Sequence, residues 1–397
     1  MGEHKWAGAA YAVTDETTVI MGEGPREAQE IDAGVLPPPP DDASEPATAG
    51  ARATADLVVE PAPSPVVRSS AGLVPARPRP EQLAATTGWR AVLNAASFGL
   101  ITLRAGESEV SEVRDRRGVN AQWSTPQTVV VANPKGGAGK TPTVVGLAAT
   151  FGHARGGTTI AWDNNETLGT LGIRTVPQRF ATTAVDLLAN LGRFERIDAK
   201  KGELGAFTRH QESGQYEVLV SDEDPKRMSE IGAPEFERIH TVLKRYYDVI
   251  VVDTGNNPRS ANFLAAIDCA DLLVIPVSWA QDVVLSAGRL IDQLRETGHG
   301  DLVARAVTVV TGRPSTDASA AKIAQWRDWY TTQTAAVIEI PYDAHIDGRG
   351  AIVYSELTGA TRRAYLALAA AVATGFTGAD QATTYRAIKE PTHDRSN

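Results

Sequence analysis

Short apolar and β-branched runs recur along the chain from about residue 127, separated by longer segments with helical spacing. The run 249–252 is apolar throughout, as is typical of strands covered on both faces. Phe236, Ile239, Leu243 and Tyr246 have the spacing of one helix face. Seven strands are predicted, at 128–132, 158–162, 216–220, 249–252, 272–277, 306–310 and 336–340. This alternation predicts an α/β fold, a mostly parallel sheet with helices on both faces.

The first 84 residues have a different composition. They contain 12 of the 23 prolines, 13 acidic and 6 basic side chains, and only two aromatic residues, Trp6 and Tyr11. Such a segment buries too little apolar area to offset the entropy of ordering, so we predict a disordered acidic Pro/Ala-rich tail. It is either a linker or, because polyproline II is a pre-ordered ligand shape, a docking tail for a partner.

Between this tail and the regular pattern lies a short segment with one helical stripe. Trp89, Val92, Leu93 and Ala96 have i, i+3, i+4, i+7 spacing, and Gly99 could end the helix. We therefore predict four regions: the tail over 1–84, a helical adaptor over 85–125, the α/β domain over 126–378 and a polar C-terminal tail over 379–397.

Several classes of protein are excluded by simple counts. The chain has one cysteine, Cys269, which cannot form an intrachain disulfide or a zinc cluster. The first ten residues lack the apolar core of a signal peptide, and no apolar run reaches the roughly 18 residues of a membrane-spanning helix. We therefore expect a cytoplasmic protein.

The most specific motif follows the first predicted strand, at Lys135-Gly136-Gly137-Ala138-Gly139-Lys140-Thr141. The glycines let the backbone curl so that N–H groups point at a phosphate, and the following helix start adds favourable partial charge. The predicted nucleotide contacts in this loop are Gly136, Gly137, Ala138, Gly139, Lys140, Thr141 and Pro142.

Three of these residues have separate roles. Lys140 is placed to reach the β- and γ-phosphates, and the Thr141 hydroxyl is placed to bind Mg²⁺. Pro142 is tolerated just inside the helix start, where an N–H would be unpaired in any case. The loop therefore predicts binding of a nucleotide with Mg²⁺.

All six fixed positions of K-G-G-x-G-K-T are met, and with this deviant Walker A loop the chain resembles the ParA/MinD family of P-loop ATPases. The resemblance implies ATP as the ligand. It also implies that Lys135 crosses to the nucleotide of a second copy in an ATP-bound homodimer. A second cation there would neutralise charge that develops during phosphoryl transfer.

Acidic residues end two of the predicted strands. Asp253 follows the run 249–252, which suits a Walker B acid acting on Mg²⁺, and Asp163 matches the first acid of the family's D-x-D or D-x-N motif. The second acid of that motif positions water, and this chain has Asn165 there. Asn orients water but is a far weaker base, so we predict slow hydrolysis, or hydrolysis that relies on Glu166 or on a partner.

Contacts to the base are harder to assign. Pro341 and Tyr342 follow the last predicted strand, where the family places a loop against adenine. Thr311-Gly312-Arg313 stands where the family often has an adenine-reading Asn. We therefore expect Pro341 and Tyr342 to contact the nucleotide.

The order of segments over about 85–378 resembles that of actinobacterial MinD-like ATPases associated with type VII (ESX) secretion. This resemblance implies an accessory ATPase whose partner binds the N-terminal tail or the surface that ATP switches. Membrane insertion of the MinD type is not expected, because the C-terminal tail is polar and contains Pro391.

Two alternative functions and one separate hypothesis remain open. The first is a ParA-like partition ATPase that binds DNA nonspecifically, which the net charge of −2 beyond residue 84 disfavours, although Arg362-Arg363 or the basic run 114–117 could form a local patch. The second is a nucleotide-dependent scaffold with little turnover. The third concerns the tail, where Thr17 or Thr18 beside Asp15-Glu16 could be phosphorylated.

Overall fold

The computed structural model describes residues 84–97, 100, 102–166, 169–178, 182–312 and 318–389, with side chains in the last helix described up to residue 376. Residues 1–83, which hold Thr17 and Thr18, lie outside this range, as do Arg313 and Pro391. The predictions of a disordered tail and of its phosphorylation therefore concern residues that are not described.

Eight strands form one sheet in the order β3-β4-β2-β5-β1-β6-β7-β8. They are β1 (Gln127–Val131), β2 (Thr159–Asn164), β3 (Arg209–Gln211), β4 (Tyr216–Leu219), β5 (Val249–Thr254), β6 (Leu272–Val277), β7 (Val307–Val310) and β8 (Ala336–Glu339). All pairings are parallel except that between β3 and β4. The predicted fold class and all seven predicted strands are confirmed.

Helices connect the parallel strands and cover both faces of the sheet. They are α1 (Gly88–Ala96), α2 (Glu107–Val119), α3 (Lys140–Arg155), α4 (Ala184–Ala189), α5 (Leu191–Phe194), α6 (Lys201–Leu204), α7 (Pro225–Met228), α8 (Ala233–Lys244), α9 (Ala261–Asp268), α10 (Gln281–Glu296), α11 (Gly300–Arg305), α12 (Ala320–Gln333), α13 (Ala344–Asp347) and α14 (Gly359–Lys389). In the described part of the chain, none of these helices combines the length and the apolar character that a membrane crossing requires.

The sheet separates two apolar cores. On one face Trp162 of β2 stacks on Phe236 of α8, with ring centroids 4.4 Å apart, and the stripe continues through Ile239 and Leu243. On the other face α3 and α14 pack together around buried aromatic side chains such as Tyr365. Since β5 lies between these cores, all six of its residues are buried, as its unbroken apolar run predicts.

The adaptor segment is partly integrated into this body. Helix α2 packs against α14, and Trp123 after it meets Phe376 edge-on at 5.2 Å. Arg155, at the end of α3, stacks its guanidinium 3.9 Å from the Trp123 ring and donates to the carbonyls of Val119, which ends α2, and of Ala121. Helix α1 forms as predicted, but Trp89 and Val92 remain 69% and 68% exposed, so the predicted stripe does not pack on the described residues.

Close packing between α3 and α14 leads to a stability prediction. A Cβ placed on Gly146 of α3 would overlap the ring of Tyr365, which is 1% exposed and cannot retreat. We expect Gly146→Ala to destabilise the fold by about 1–3 kcal/mol, although Ala favours helix formation, because overpacking outweighs propensity. Urea unfolding would measure the change.

Gly118→Ala is the matched control, since its new Cβ would meet Ala370 at an ordinary 3.6 Å. This variant should be neutral or stabilised by up to about 1 kcal/mol through helix propensity. Equal stability of the two variants would contradict the packing argument.

Candidate nucleotide-binding site

The loop between β1 and α3 is held in shape by one buried side chain. Asn133 donates from Nδ2 to the carbonyl of Pro276 at 2.8 Å and accepts from the amide of Lys135 at 2.9 Å. Gly137 and Gly139 have φ of 79° and 92°, the left-handed region that glycine enters at no cost. A side chain at Gly139 would overlap Thr311, so the glycine there is also required by packing.

Lys140 lies inside the curl of this loop. Its Nζ donates to the carbonyl of Asn133 at 2.8 Å and to Oδ1 of Asn256 at 2.6 Å. Burial lowers the pKa of the lysine, whereas the charges of Asp253 and Glu166 act to raise it. The ammonium is therefore positioned by neutral oxygens and can exchange them for a phosphate.

Thr141 and Asp253 meet beside the loop because β1 and β5 pair in parallel, with Val131 opposite Asp253. The Thr141 hydroxyl donates to Oδ2 of Asp253 at 2.7 Å, while Oδ1 of Asp253 is buried without a hydrogen-bond partner among the described residues. Hydroxyl and carboxylate oxygens are the ligands that Mg²⁺ prefers. These two residues therefore fit a magnesium site.

Asp163 is opposite Asp253 in the β2–β5 register. Its carboxylate accepts from the amides of Asn165 at 3.3 Å and Leu171 at 3.2 Å. Burial raises the pKa of both aspartates, and the nearby Asp253 raises that of Asp163 further. Two buried like charges without a cation between them are costly, so this pair also fits a divalent cation.

Asn165 lines the cavity beside the loop, whereas Glu166 turns toward the end of β5. Oε2 of Glu166 is buried and has no hydrogen-bond partner among the described residues. A Cβ on Gly255 would overlap that oxygen, so only glycine at 255 leaves room for it. Near Asp163, the amide of Asn165 thus lines the cavity, whereas the carboxylate of Glu166 does not.

Lys135 points away from Lys140 and lies on the surface. Its Nζ forms an ion pair with Oδ2 of Asp282, in the first turn of α10, at 2.9 Å. The two side chains are 45% and 60% exposed, so the pair contributes little to stability. The first lysine of the motif is therefore accessible from outside the chain.

A cavity of about 580 Å³ lies beside the loop and reaches Lys140, Thr141 and Asp253. It is lined by Gly136, Gly137, Gly139, Lys140, Thr141, Pro142, Asn165, Thr170, Ile173, Arg174, Asp253, Thr254, Asn256, Ser278, Thr311, Gly312, Ile346, Asp347 and Arg349. Pro341 and Tyr342 do not line it, but the Tyr342 hydroxyl donates to Asp347 at 3.2 Å. Ala138 lies within the loop and is buried; its carbonyl accepts from Thr311 at 3.3 Å.

Sequence reasoning missed several residues of this site. Asn256 stands three residues after Asp253, in the loop that follows β5, and its closeness to that acid is a usable signal. Asp282 and Thr170 are isolated polar residues without a pattern. Arg174 and Arg349 lie in loops far apart in sequence, which only the fold brings together.

The phosphate loop between the central strand β1 and helix α3, with carboxylates at the ends of β2 and β5, gives the chain a P-loop fold of the ParA/MinD type. No family model matches the chain. A curated relative, the ESX-1 secretion-associated protein EspI of Mycobacterium tuberculosis, is 26% identical over 296 residues. The match covers 73% of this chain but only 42% of that relative.

Solved structures with a similar fold share still less sequence. The cell division ATPase MinD of Pyrococcus furiosus is 17% identical, with a TM-score of 0.49, and covers 62% of this chain and 98% of its own. The ParA family ATPase of Chlorobium tepidum is 15% identical, also with a TM-score of 0.49, over 62% and 97% of the two chains. MinD of Pyrococcus horikoshii, solved with Mg-ADP, is 16% identical, with a TM-score of 0.47, over 62% and 94%.

Proposed function

We propose that this protein binds ATP with Mg²⁺, dimerises on ATP and hydrolyses it slowly. The observation that carries the proposal is the contact between Thr141 and Asp253, with one carboxylate oxygen left unpaired, next to a preformed loop that holds Lys140. Mg²⁺ bound there would neutralise charge on the phosphate oxygens. The loop amides and Lys140 would bind the phosphates, and Thr141, Asp253 and Asp163 would hold the metal.

Hydrolysis also needs a positioned water. Asn165 is the side chain near Asp163 that faces the cavity, and its amide can orient water but cannot accept a proton effectively. We infer that attack is therefore slow, and that the ATP-bound state persists. A long-lived ATP state suits a protein whose output is an assembly rather than continuous turnover.

The ATP-dependent dimer is inferred from Lys135. Its side chain lies on the surface with Asp282. A weak exposed ion pair is easily exchanged for the phosphates of the nucleotide bound to a second copy. Light scattering with ADP, ATP and a nonhydrolysable analogue should show a dimer with ATP and the analogue only. Lys135→Ala should bind ATP as a monomer. A wild-type protein that is monomeric with every nucleotide would contradict the dimer.

We further propose that the ATPase serves a type VII secretion system as an accessory or regulatory component, presenting its N-terminal segment or its nucleotide-switched surface to a partner. Support comes from the match to EspI, which is an ESX-1 secretion-associated protein. In the host, a strain carrying only Lys140→Ala should secrete less type VII substrate than wild type. Normal secretion, together with an ATP-dependent gel shift of duplex DNA, would instead favour a partition role.

A further inference from the structure

Two further cationic side chains line the nucleotide cavity away from Lys140. Arg174 lies in the loop after β2, and Arg349 follows α13. Asp347, two residues before Arg349, lines the same wall, and it already accepts a hydrogen bond from Tyr342. Two arginines against one aspartate leave this wall positively charged.

Arg174 is fixed in place but incompletely paired. Its carbonyl accepts from the amide of Ile352 at 2.8 Å, and its Nη2 donates to the carbonyl of Ile346 at 2.5 Å. The residue is only 8% exposed, and its Nη1 is buried with no hydrogen-bond partner among the described residues. A buried guanidinium that lacks a partner is costly, so an anion at this wall would be stabilising.

Arg349 lies near Arg174 in an unusual backbone conformation. It has φ of 58°, in the left-handed region that residues other than glycine rarely enter. Burial lowers the pKa of the Arg174 guanidinium, and the positive charge of Arg349 lowers it further. Two like charges thus share this edge of the cavity.

The wall adjoins the first turn of α3, where one donor is missing. Pro142 lines the same cavity and has no N–H. Its carbonyl accepts from the Tyr365 hydroxyl at 3.0 Å. Since Lys140 serves the outer phosphates, the phosphate next to the ribose falls along this donor-poor turn.

We propose that Arg174 and Arg349 bind the α-phosphate of the nucleotide, supplying the hydrogen bonds that Pro142 cannot. This inference rests on the proposed binding of ATP. Arg174 forms the inner, fixed contact, and Arg349, which is exposed, closes on the phosphate from the solvent side.

Calorimetric titration with ADP and with a nonhydrolysable ATP analogue tests the proposal on the full chain. Arg349→Ala should weaken both ligands about tenfold, the effect of one charged hydrogen bond, and leave the ratio of their Kd values unchanged. Arg174→Lys keeps the charge and a donor to Ile346 but loses the fork, and should weaken both ligands by a similar factor. Arg196→Ala, which removes an exposed arginine paired with Asp198, is the matched control and should bind as wild type.

The outcomes separate this inference from the proposed function. If wild type binds neither nucleotide, the proposed function itself fails. If wild type binds and Arg349→Ala and Arg174→Lys bind equally well, the arginine contact is refuted. Weaker binding of the ATP analogue alone would place the arginines at the γ-phosphate and overturn the assignment to the α-phosphate.

Discussion

Lys140→Ala should lose nucleotide binding, with Kd values for ADP and ATP raised at least about 100-fold, since two or more charged hydrogen bonds disappear together. In the folded protein the ammonium is already inside the loop, held by the carbonyl of Asn133 and the side chain of Asn256. Binding therefore exchanges neutral partners for phosphate without ordering the lysine first. Calorimetry or a fluorescent nucleotide would measure the loss, and thermal unfolding without nucleotide would verify that the variant is folded.

Lys135→Ala is the matched control for this experiment. It removes the same functional group from the same loop, but from a side chain that lies outside with Asp282. We expect its Kd for ADP to stay within about fivefold of wild type, because an exposed ion pair contributes under about 1 kcal/mol. Equal losses in the two variants would mean that both lysines act on the nucleotide within one chain.

Asn165→Asp should raise steady-state phosphate release at least about tenfold, since a positioned general base contributes on the order of 10²–10⁴ in rate. The side chain already lines the cavity beside Asp163, so a carboxylate there needs no rearrangement of the backbone. ATP affinity should change far less than the rate. Unchanged turnover in Asn165→Asp would show that the amide is not what limits hydrolysis.

Two further variants make that result specific. Glu166→Gln tests the neighbouring acid, whose Oε2 is buried beside Gly255 and which does not line the cavity; residual wild-type turnover should survive this change. Turnover lost in Glu166→Gln would make Glu166 the acid that replaces the missing one. Asn257→Asp adds the same charge in an exposed loop outside the cavity lining and should leave turnover unaltered.

The strands and the phosphate loop were predictable because their signals are local. An apolar run long enough to be covered on both faces, such as β5, has few alternatives, and the seven-residue loop combines three glycines with two lysines at fixed spacing. Strand β3 was missed because its three residues, Arg209–Gln211, are all polar and pair only at the sheet edge. Helix α2 was missed because seven of its 13 residues are charged and no apolar stripe marks it.

Only the parts of the site whose residues lie in recognisable loops or at strand ends could be predicted from the sequence. Thr141 and Asp253 could be paired because parallel strands end at the same edge of a sheet. Arg174 and Arg349 could not be paired. Their loops are joined by hydrogen bonds of Arg174 to the backbone of Ile346 and Ile352, and such contacts produce no periodic pattern in the sequence. The partner of Lys135 was missed for the same reason, as Asp282 belongs to a helix on a different crossover.

Helix α3 has the nucleotide site at one end and the N-terminal part of the chain at the other. Its first residue is Lys140, and its last, Arg155, holds the carbonyls of Val119 and Ala121 and the ring of Trp123. Sixteen residues make a rigid rod of about 24 Å. This rod therefore ties the phosphate loop directly to residues 119–123, the segment through which α2 joins β1.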